Sequence, residues 1–410
     1  ISMVEAMDDG DYHQQEEEEE GNSIMKESER IAFYKVAEAL NPSIAWRDLY
    51  PDPCLDPPQG SYCEQFDDNF YSLTALTFGP IYDNTPSCSY NAWIHPSISN
   101  LTRLRSLTFY RCFIGNTTSL PPDIAMLKET LRVFSLRGNA GLVGPIPPQF
   151  GGLLHLERFV ANGNGLQGLV PMELGGLQYL RQLDLSNNKL HGEVPSSIAK
   201  LKELVVLDLS RNRLSGEVSP QTFLGMDSLV KLDLSKNMLQ GSIPSSIGSL
   251  GHSLKLLDLS YNQFVGEIPT SFSSLRHLEE LNLGHNKGLG GDIPTQIWPH
   301  MEFLMSLDLS NSSYEGQIPS TFESLKNLRC LDVKKNKLIG DIPMGLERLP
   351  SLYLLHLNGN NLSGTLPFSL TFVEKLGRNL LLGEGNYGLC SPLQNRFHRS
   401  VKACPTTTSS

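Results

Sequence analysis

The sequence predicts an α/β repeat solenoid of about eleven short coils. A leucine frame, Leu-x-x-Leu-x-Leu, returns every 24 to 27 residues, as at Leu180–Leu185 and Leu204–Leu209. An Asn closes most of these frames at one fixed position. One such coil cannot bury its apolar face alone, so the coils must stack into a continuous core. The closing residues are Asn139, Asn164, Asn188, Asn212, Asn237, Asn262, Asn286, Asn336 and Asn360, with Cys112 and Ser312 in the same slot of two further coils.

Each part of the coil has a physical role. The leucine frame is a short strand whose alternate residues point into the core. The Asn turns the chain, and its buried amide must be satisfied by neighbouring backbone groups, which predicts an Asn ladder along the solenoid. Ser312 can satisfy fewer groups, so we expect local weakening there. Most coils continue as Leu-x-Gly-x-Ile-Pro, for example Leu338–Pro343. This segment resembles the plant-specific leucine-rich repeat, which implies a superhelix.

The two ends of the array need caps, because a solenoid otherwise exposes an apolar coil. We expect an acidic disordered tail over 1–24, an N-terminal cap over 25–100, the repeat array over 101–376, and a C-terminal cap and tail over 377–410. An amphipathic helix is predicted over Ser28–Leu40. Its expected apolar face is Ile31, Tyr34, Val36, Ala37 and Leu40.

Seven cysteines suggest three bridges local to the caps and one free thiol, Cys330. The expected pairs are Cys54–Cys63, Cys88–Cys112 and Cys390–Cys404, each stabilising by roughly 3 kcal/mol in the chain-entropy model. Four sequons fit Asn-x-Ser/Thr and are candidate glycosylation sites. They are Asn100, Asn116, Asn311 and Asn361. Together with the cysteines they favour an oxidising, extracellular setting.

Charge and motif content exclude several function classes. The net charge is −11, but residues 1–20 hold nine acids and no Lys or Arg, which leaves −2 for residues 21–410. No basic footprint for nucleic acid exists. Two Gly-x-Gly-x-x-Gly strings occur, at Gly163–Gly168 and Gly383–Gly388. A dinucleotide-binding site needs this string between a strand and a helix, whereas the first lies on the Asn turn and Gly bend of a repeat and the second in the terminal cap. We therefore predict no enzyme activity, no cofactor and no metal.

A ligand is expected on the concave face, at strand positions between the leucines. One group there is a row of Asp residues, either a solvated ladder typical of the repeat or part of a binding surface. Another is an Arg cluster on the first four strands, either neutralised by acids such as Glu157 or free to hold an acidic partner. The candidate residues are Asp184, Asp208, Asp233, Asp258, Asp308 and Asp332, Arg105, Arg111, Arg132, Arg137, Arg158 and Arg181. Charge reversal at Arg132 and Arg158 is expected to weaken partner binding. Exposed Tyr110, Tyr261 and Tyr353 are candidate anchors.

The cap region resembles a small plant group, the Too Many Mouths and Piriformospora indica-insensitive proteins. The matching strings are Leu76–Gly79, Thr85–Cys88 and the Leu-Thr-Phe-Tyr-Arg-Cys of Leu107–Cys112. The resemblance implies a receptor-like ectodomain without a kinase, at the extracellular face of the plasma membrane. It also implies that a receptor kinase ectodomain, a secreted peptide, or both bind the concave face. Two features depart from the group: the Cys54–Cys63 stretch lacks the usual Trp-x-Gly, and the acidic tail is extra.

Two readings of the compartment remain open. No apolar run is long enough to span a membrane, and the chain opens Ile1-Ser2-Met3 without a secretory signal. A membrane anchor is therefore expected beyond Ser410, with any signal already removed. The alternative is a soluble protein of the cell wall space, a secreted inhibitor of microbial pectin-degrading enzymes. A wall carbohydrate binder ranks lower, because no concave row of stacking aromatics is present.

Overall fold

A computed structural model describes residues 24–81, 84–383, 385–392 and 401–404. It is a stack of coils whose concave side is one 14-stranded sheet. The acidic segment 1–23 and the last six residues lie outside the described part, and the tail predicted over 1–24 therefore falls almost wholly outside it. The concave strands are Ser61–Gln65, Tyr71–Phe78, Ser106–Tyr110, Val133–Arg137, Arg158–Val160, Gln182–Asp184, Val206–Asp208, Lys231–Asp233, Leu256–Asp258, Glu280–Asn282, Ser306–Asp308, Cys330–Asp332, Leu354–His356 and Leu380–Leu381.

The predicted number of coils is confirmed. Eleven parallel strands run from Ser106–Tyr110 to Leu354–His356, and the cap adds an antiparallel hairpin at one end. Leu380–Leu381 adds one more parallel strand at the other end. Neighbouring strands pair residue for residue, so equivalent side chains form straight rows across the concave face.

A second surface of short parallel strands follows the Asn turns. An eight-stranded sheet contains Val143–Gly144, Gly165–Gly168, Lys189–Gly192, Arg213–Glu217, Met238–Ser242, Gln263–Gly266, Gly288–Asp292 and Ser313–Glu315. A four-stranded sheet contains Ile339–Gly340, Asn361–Thr365, Gly388–Ser391 and Lys402–Ala403. Most of these strands lead into a Pro, which begins a short 3-10 turn because its fixed φ suits that position.

The 3-10 turns form the back of the solenoid, and each returns the chain to the next concave strand. They are Pro96–Asn100, Pro122–Leu127, Pro148–Gly152, Met172–Gly176, Ser196–Lys200, Ser245–Leu250, Thr270–Ser274, Trp298–His300, Ser320–Ser324, Met344–Arg348 and Gly377–Asn379. Their central apolar residues, such as Phe150 and Ile198, are buried against the leucine columns. The result is one core that runs the length of the array.

The Asn ladder forms as the turns require. Asn262 Oδ1 accepts a hydrogen bond from Leu239 N (3.0 Å), and its Nδ2 donates to the carbonyls of Leu234 (2.9 Å) and Leu259 (3.1 Å). The same pattern continues into the C-terminal cap, where Asn386 accepts from Leu362 N. Ser312 breaks it, since its hydroxyl donates only to the Ser310 carbonyl (3.2 Å).

The N-terminal cap helix spans Glu27–Leu40, and a short helix follows at Trp46–Leu49. The predicted apolar face was wrong at Ile31, which is 37% exposed, while Phe33 is fully buried against Trp46. A third helix, Leu370–Leu376, covers the other end. The buried face of the first helix is set by packing onto the hairpin, where the Glu29 carboxylate accepts from Leu73 N (2.9 Å).

The three disulfides join the predicted pairs, Cys54–Cys63, Cys88–Cys112 and Cys390–Cys404, and Cys330 is free. Cys112 occupies the ladder slot of the first coil, and its amide donates to Asn139 Oδ1 (2.7 Å). A covalent bridge to the cap thus replaces an Asn side chain where the ladder begins.

Candidate ligand-binding surfaces

The concave face presents parallel rows of side chains, because the register fixes each position across all strands. Arg105, Arg132, Glu157 and Arg181 each lie one residue before a strand, at the edge where the strands begin. We call this side the entry edge. The side on which the strands end, next to the ladder, is the exit edge.

The Asp residues form one row in the middle of the face, which we call the acidic row: Asp184, Asp208, Asp233, Asp258, Asp308 and Asp332. Each carboxylate first serves its own turn, as when Asp208 Oδ1 accepts from Ser210 N and Ser210 Oγ (2.7 Å). Lys231 bridges two coils, 2.8 Å from Asp208 and 3.6 Å from Asp233. Lys334 and His356 both contact Asp332. These contacts favour a structural role for the row.

Asp258, like Asp184 and Asp308, has no cation paired with it within the described residues. Burial raises the pKa of its carboxyl above the ordinary 3.8, hydrogen bonds from Ser260 oppose this, and the charges of Asp233 and Asp308 add to it. The acidic row therefore carries electrostatic repulsion at its centre.

The structure divides the predicted Arg cluster between the two edges. Arg132 and Arg137 stand at opposite ends of one strand, about 16 Å apart. Arg105 is 2.7 Å from Glu64, and Arg132 is 2.7 Å from Glu157. Neutralisation by neighbouring acids thus holds for these two arginines. Exposed residues Arg137, Arg158 and Arg181 form no ion pair within the described part of the chain.

The tyrosines are also separated. Tyr353 lies on the entry edge and is half exposed. Tyr110 lies at the end of the first array strand, with the Arg111 guanidinium 5.5 Å from its ring centre. Tyr261 lies on the exit edge. The three do not form one aromatic anchor.

A row on the exit edge was missed by the sequence analysis. In the eleven coils of the array, every residue just before a ladder position has a positive φ, from 50° to 74°. Three are glycines, but eight carry side chains in this left-handed conformation, which L residues adopt at a cost. The signal in the sequence is the residue between Ser and Asn in Leu-Ser-x-Asn. We call this set the edge row: Arg111, Gly138, Gly163, Asn187, Arg211, Lys236, Tyr261, His285, Asn311, Lys335 and Gly359.

The middle of the edge row is basic and aromatic. Tyr261 and His285 stack with ring centres 3.9 Å apart, and Lys236 lies 5.2 Å from the Tyr261 ring. Burial lowers the pKa of His285, and Asn311 Nδ2 lies 2.7 Å from its Nδ1, as a donor to an unprotonated nitrogen. Arg211, a further cation of the row, is exposed and forms no ion pair within the described residues.

A cavity of about 1040 Å³ opens on the entry edge. We call it the basic pocket, because its charged lining consists of four Lys and Arg residues and two Glu residues. Its lining includes the ends of two successive 3-10 turns, at Gly176 and at Lys200. The lining residues are Arg132, His155, Glu157, Gly175, Gly176, Gln178, Tyr179, Arg181, Lys200, Lys202 and Glu203.

The remaining candidate features are on the surface. The sequons at Asn100, Asn116 and Asn361 are exposed, and Asn311 is half-buried in the edge row. Among described residues, no set of three or more His, Cys, Asp or Glu side chains is arranged to hold a metal ion. The helices of the described part are all too short or too polar to cross a membrane.

Comparison with known proteins agrees with this architecture. Leucine rich repeat family profiles match residues 179–201, 193–239, 253–275, 274–293 and 303–362. The chain is 37% identical over 143 residues to Piriformospora indica-insensitive protein 2 of Arabidopsis thaliana, 34% of each chain. It is 36% identical over 132 residues to Protein TOO MANY MOUTHS of the same plant, 32% of this chain and 26% of that one. The alignments thus span about a third or less of these relatives.

Solved structures show the same fold in proteins of different roles. The receptor kinase HAESA, solved with the peptide hormone IDA and the co-receptor SERK1, has a TM-score of 0.59 and 26% identity, covering 80% of this chain and 62% of that one. A plant ice-binding protein has a TM-score of 0.62 and 25% identity, covering 83% and 97%. Because one fold serves both roles, the function must be argued from the surfaces.

Proposed function

We propose that this plant-type leucine-rich repeat chain, which resembles plant receptor-like proteins, is the binding ectodomain of a cell-surface receptor-like protein. Its ligand would be an extended peptide, a receptor kinase ectodomain, or both, held across the concave face. The observation that carries the proposal is the edge row. Its cations Arg211 and Lys236 and the ring of Tyr261 are exposed, and one neighbour of the same fold, HAESA, was solved with a peptide hormone and a co-receptor.

The backbone of the edge row supports a binding role. Glycine adopts the left-handed conformation without strain, and three coils have glycine at this position. The other eight coils have larger residues, each with a conformational cost of about 1 kcal/mol. Arg211 and Lys236 are exposed and lie in adjacent coils beside Tyr261. Side chains held in an unfavourable backbone conformation without a structural partner are candidates for contact with a ligand.

The charges suggest what kind of ligand fits. A peptide lying across the coils would meet cations on the exit edge and the acidic row in the middle of the face. Carboxylates of the ligand suit Arg211, whose planar fork binds them bidentately. Tyr261 offers an exposed ring over which an apolar side chain can pack. The favoured ligand is an extended peptide of mixed charge.

The compartment follows from the cysteines. Three bridges at the two ends of the array require an oxidising environment to form and persist. We therefore place the chain on the extracellular side of the plasma membrane, and an anchor outside the present sequence remains part of the proposal.

The test is a binding screen of the full chain, made in a secretory host, against plant receptor kinase ectodomains and synthetic secreted peptides. We expect at least one to bind, and R211E/K236E to weaken that binding at least tenfold. The matched control K189E/R213E reverses two exposed cations of the eight-stranded sheet and should leave affinity unchanged. Absence of any binder, or equal affinity of R211E/K236E and wild type, would overturn the proposal.

A further inference from the structure

The basic pocket lies on the opposite edge from the edge row and has an excess of positive charge that its own lining does not cancel. Arg132 is neutralised by Glu157 at 2.7 Å. Lys202 Nζ donates to the Leu224 carbonyl (2.9 Å) and has no carboxylate partner among the described residues. Arg181 and Lys200 are exposed and likewise form no ion pair in the described part. The four cations and two carboxylates leave the lining at +2.

The lining includes two glycines, Gly175 and Gly176, which contribute no side chains to the pocket. At Gly176 a Cβ would lie 2.7 Å from the Gly151 carbonyl oxygen. Tyr179 and His155 stack nearly parallel, ring centres 5.9 Å apart, and form one wall. The pocket is thus an open trough crossing several coils, suited to a chain segment rather than a compact small molecule.

Ile24, the residue that follows the acidic segment of the same chain, lies on this edge. Tyr71 N donates to the Ile24 carbonyl (2.8 Å), and Met25 pairs with Tyr71. Tyr71 starts its strand four residues before Ala75, which pairs with Ser106, so it projects beyond the entry edge. Ile24, the first described residue, therefore lies on the side of the basic pocket and away from the edge row.

The distances allow the segment to reach the pocket. The strand that begins at Gln182 lies four strand spacings from the strand that begins at Tyr71, or about 19 Å. An extended chain covers about 3.4 Å per residue, so Glu20 can lie about 14 Å from Ile24 and Glu16 about 27 Å. The five consecutive glutamates bracket the required distance.

We propose that the basic pocket is a binding site for an acidic peptide segment and that Glu16–Glu20 of the same chain occupy it. The glutamates neutralise Arg181, Lys200 and Lys202, and the contact covers the entry edge of the concave face. An acidic partner must displace the segment to use this edge. The attraction is electrostatic and exposed to solvent, so it weakens as salt is raised.

The test uses full-length chains and a fluorescent peptide of residues 11–23 as the probe. In one variant, Glu16–Glu20 are all changed to Gln, which empties the pocket without touching the fold. We expect the probe to bind this variant at least tenfold more tightly than wild type, and R181E/K200E in the same background to abolish binding. The control R211E/K236E in that background should bind the probe as before.

Hydrogen exchange gives an independent readout of the contact. Amides of 172–181 and 196–204 should exchange more slowly in wild type than in the Gln variant at low salt, and equally at high salt. Failure of the probe to bind the Gln variant would overturn the site. Equal probe affinity for the Gln variant and wild type would overturn occupancy by the chain's own segment. Neither outcome bears on the edge row, so the proposed function is tested separately.

Discussion

At the scale of single residues, the buried side-chain amides of the ladder contribute strongly to the stability of the fold. Asn262 satisfies one backbone N–H and several carbonyls that have no access to water. A buried polar group left without a partner costs about 1–3 kcal/mol. The ladder therefore fixes the turn of each coil and joins it to the preceding one.

Replacing Asn262 by Ala should lower the free energy of unfolding by roughly 2–4 kcal/mol, because Leu239 N and the neighbouring carbonyls lose their partner. Urea unfolding followed by circular dichroism measures this. The control is Asn327→Ala, which removes an exposed amide with a single bond to the Glu302 carbonyl (2.8 Å). Equal losses in the two variants would contradict the ladder's role.

Asp258 gives the array a predictable pH dependence. Its pKa is raised on folding, chiefly by burial, so the folded chain binds a proton more tightly than the unfolded chain. Stability from this group is then present at low pH and is lost as the pH rises from about 4 through the raised pKa. Asn at this position keeps an oxygen to accept from Ser260 N, as Asn282 does for Gly284 N (3.2 Å) in the next coil.

Asp258→Asn is therefore expected to be more stable than wild type at pH 7 and to lose this advantage below pH 4. Thermal unfolding across pH 3 to 8 measures the difference. Asp227→Asn removes an exposed carboxylate and should follow wild type throughout. A constant offset between Asp258→Asn and wild type at all pH values would refute the assigned cause.

At the scale of elements, the joint between the N-terminal cap and the first coil is covalent. Cys112 stands where later coils place Asn, and its bridge to Cys88 closes a loop with a sequence separation of 24. The bridge attaches the segment after the cap hairpin to the first coil, and the Cys112 amide, which donates to Asn139 Oδ1, attaches that coil to the next. The cap and the array are thereby joined at the coil that lacks its own ladder amide.

The double variant C88S/C112S should lose about 3 kcal/mol of stability, the loop-closure value for this length. Guanidinium unfolding without reductant measures the loss, and limited proteolysis should cut within 81–112 first. Cys330→Ser changes the free thiol and is the matched control. A double variant that unfolds together with the control would show that the bridge is dispensable.

At the scale of the whole molecule, the ladder has one interior break. Ser312 lies between Asn286 and Asn336, and its hydroxyl bonds only within its own turn. Stability in a repeat array is a sum of coil and interface terms, so one weak interface can separate two cooperative blocks. Two buried polar atoms without a partner, Ser310 Oγ and Tyr314 Oη, lie beside the break.

Ser312→Asn should repair the interface. The coil before Ser312 has an extra glycine after Asn286, and the coil of Asn139 has the same extra glycine. In that second case, Asn164 of the following coil accepts from Asn139 N and donates to the Leu136 carbonyl (both 2.9 Å). Asn at 312 has the equivalent partners in Asn286 N and the Leu283 carbonyl. We expect a gain of about 1 kcal/mol and slower hydrogen exchange in 283–314. Ser312→Ala is the control, and equal exchange in both variants would exclude a repaired ladder.

The sequence by itself determined the solenoid, the eleven coils, the ladder positions and the cysteine pairs. The first three follow from periodicity and from the need of each coil to bury its leucines and satisfy its turn, which are local demands repeated in every coil. The cysteine pairs follow from their grouping near the two caps. It also placed individual candidates such as Arg132 and Tyr261, although it grouped arginines that lie on opposite edges.

Only the tertiary structure decided which residues share a surface. A shift of one position along a strand moves a side chain to another row, so Arg132 and Arg137 separate although they are close in sequence. The edge row arises from the backbone conformation before each ladder residue, which no hydrophobic pattern records. The basic pocket brings together Arg132, Arg181 and Lys202, which belong to different coils. Such surfaces form only when the coils stack, because each contains residues from several coils.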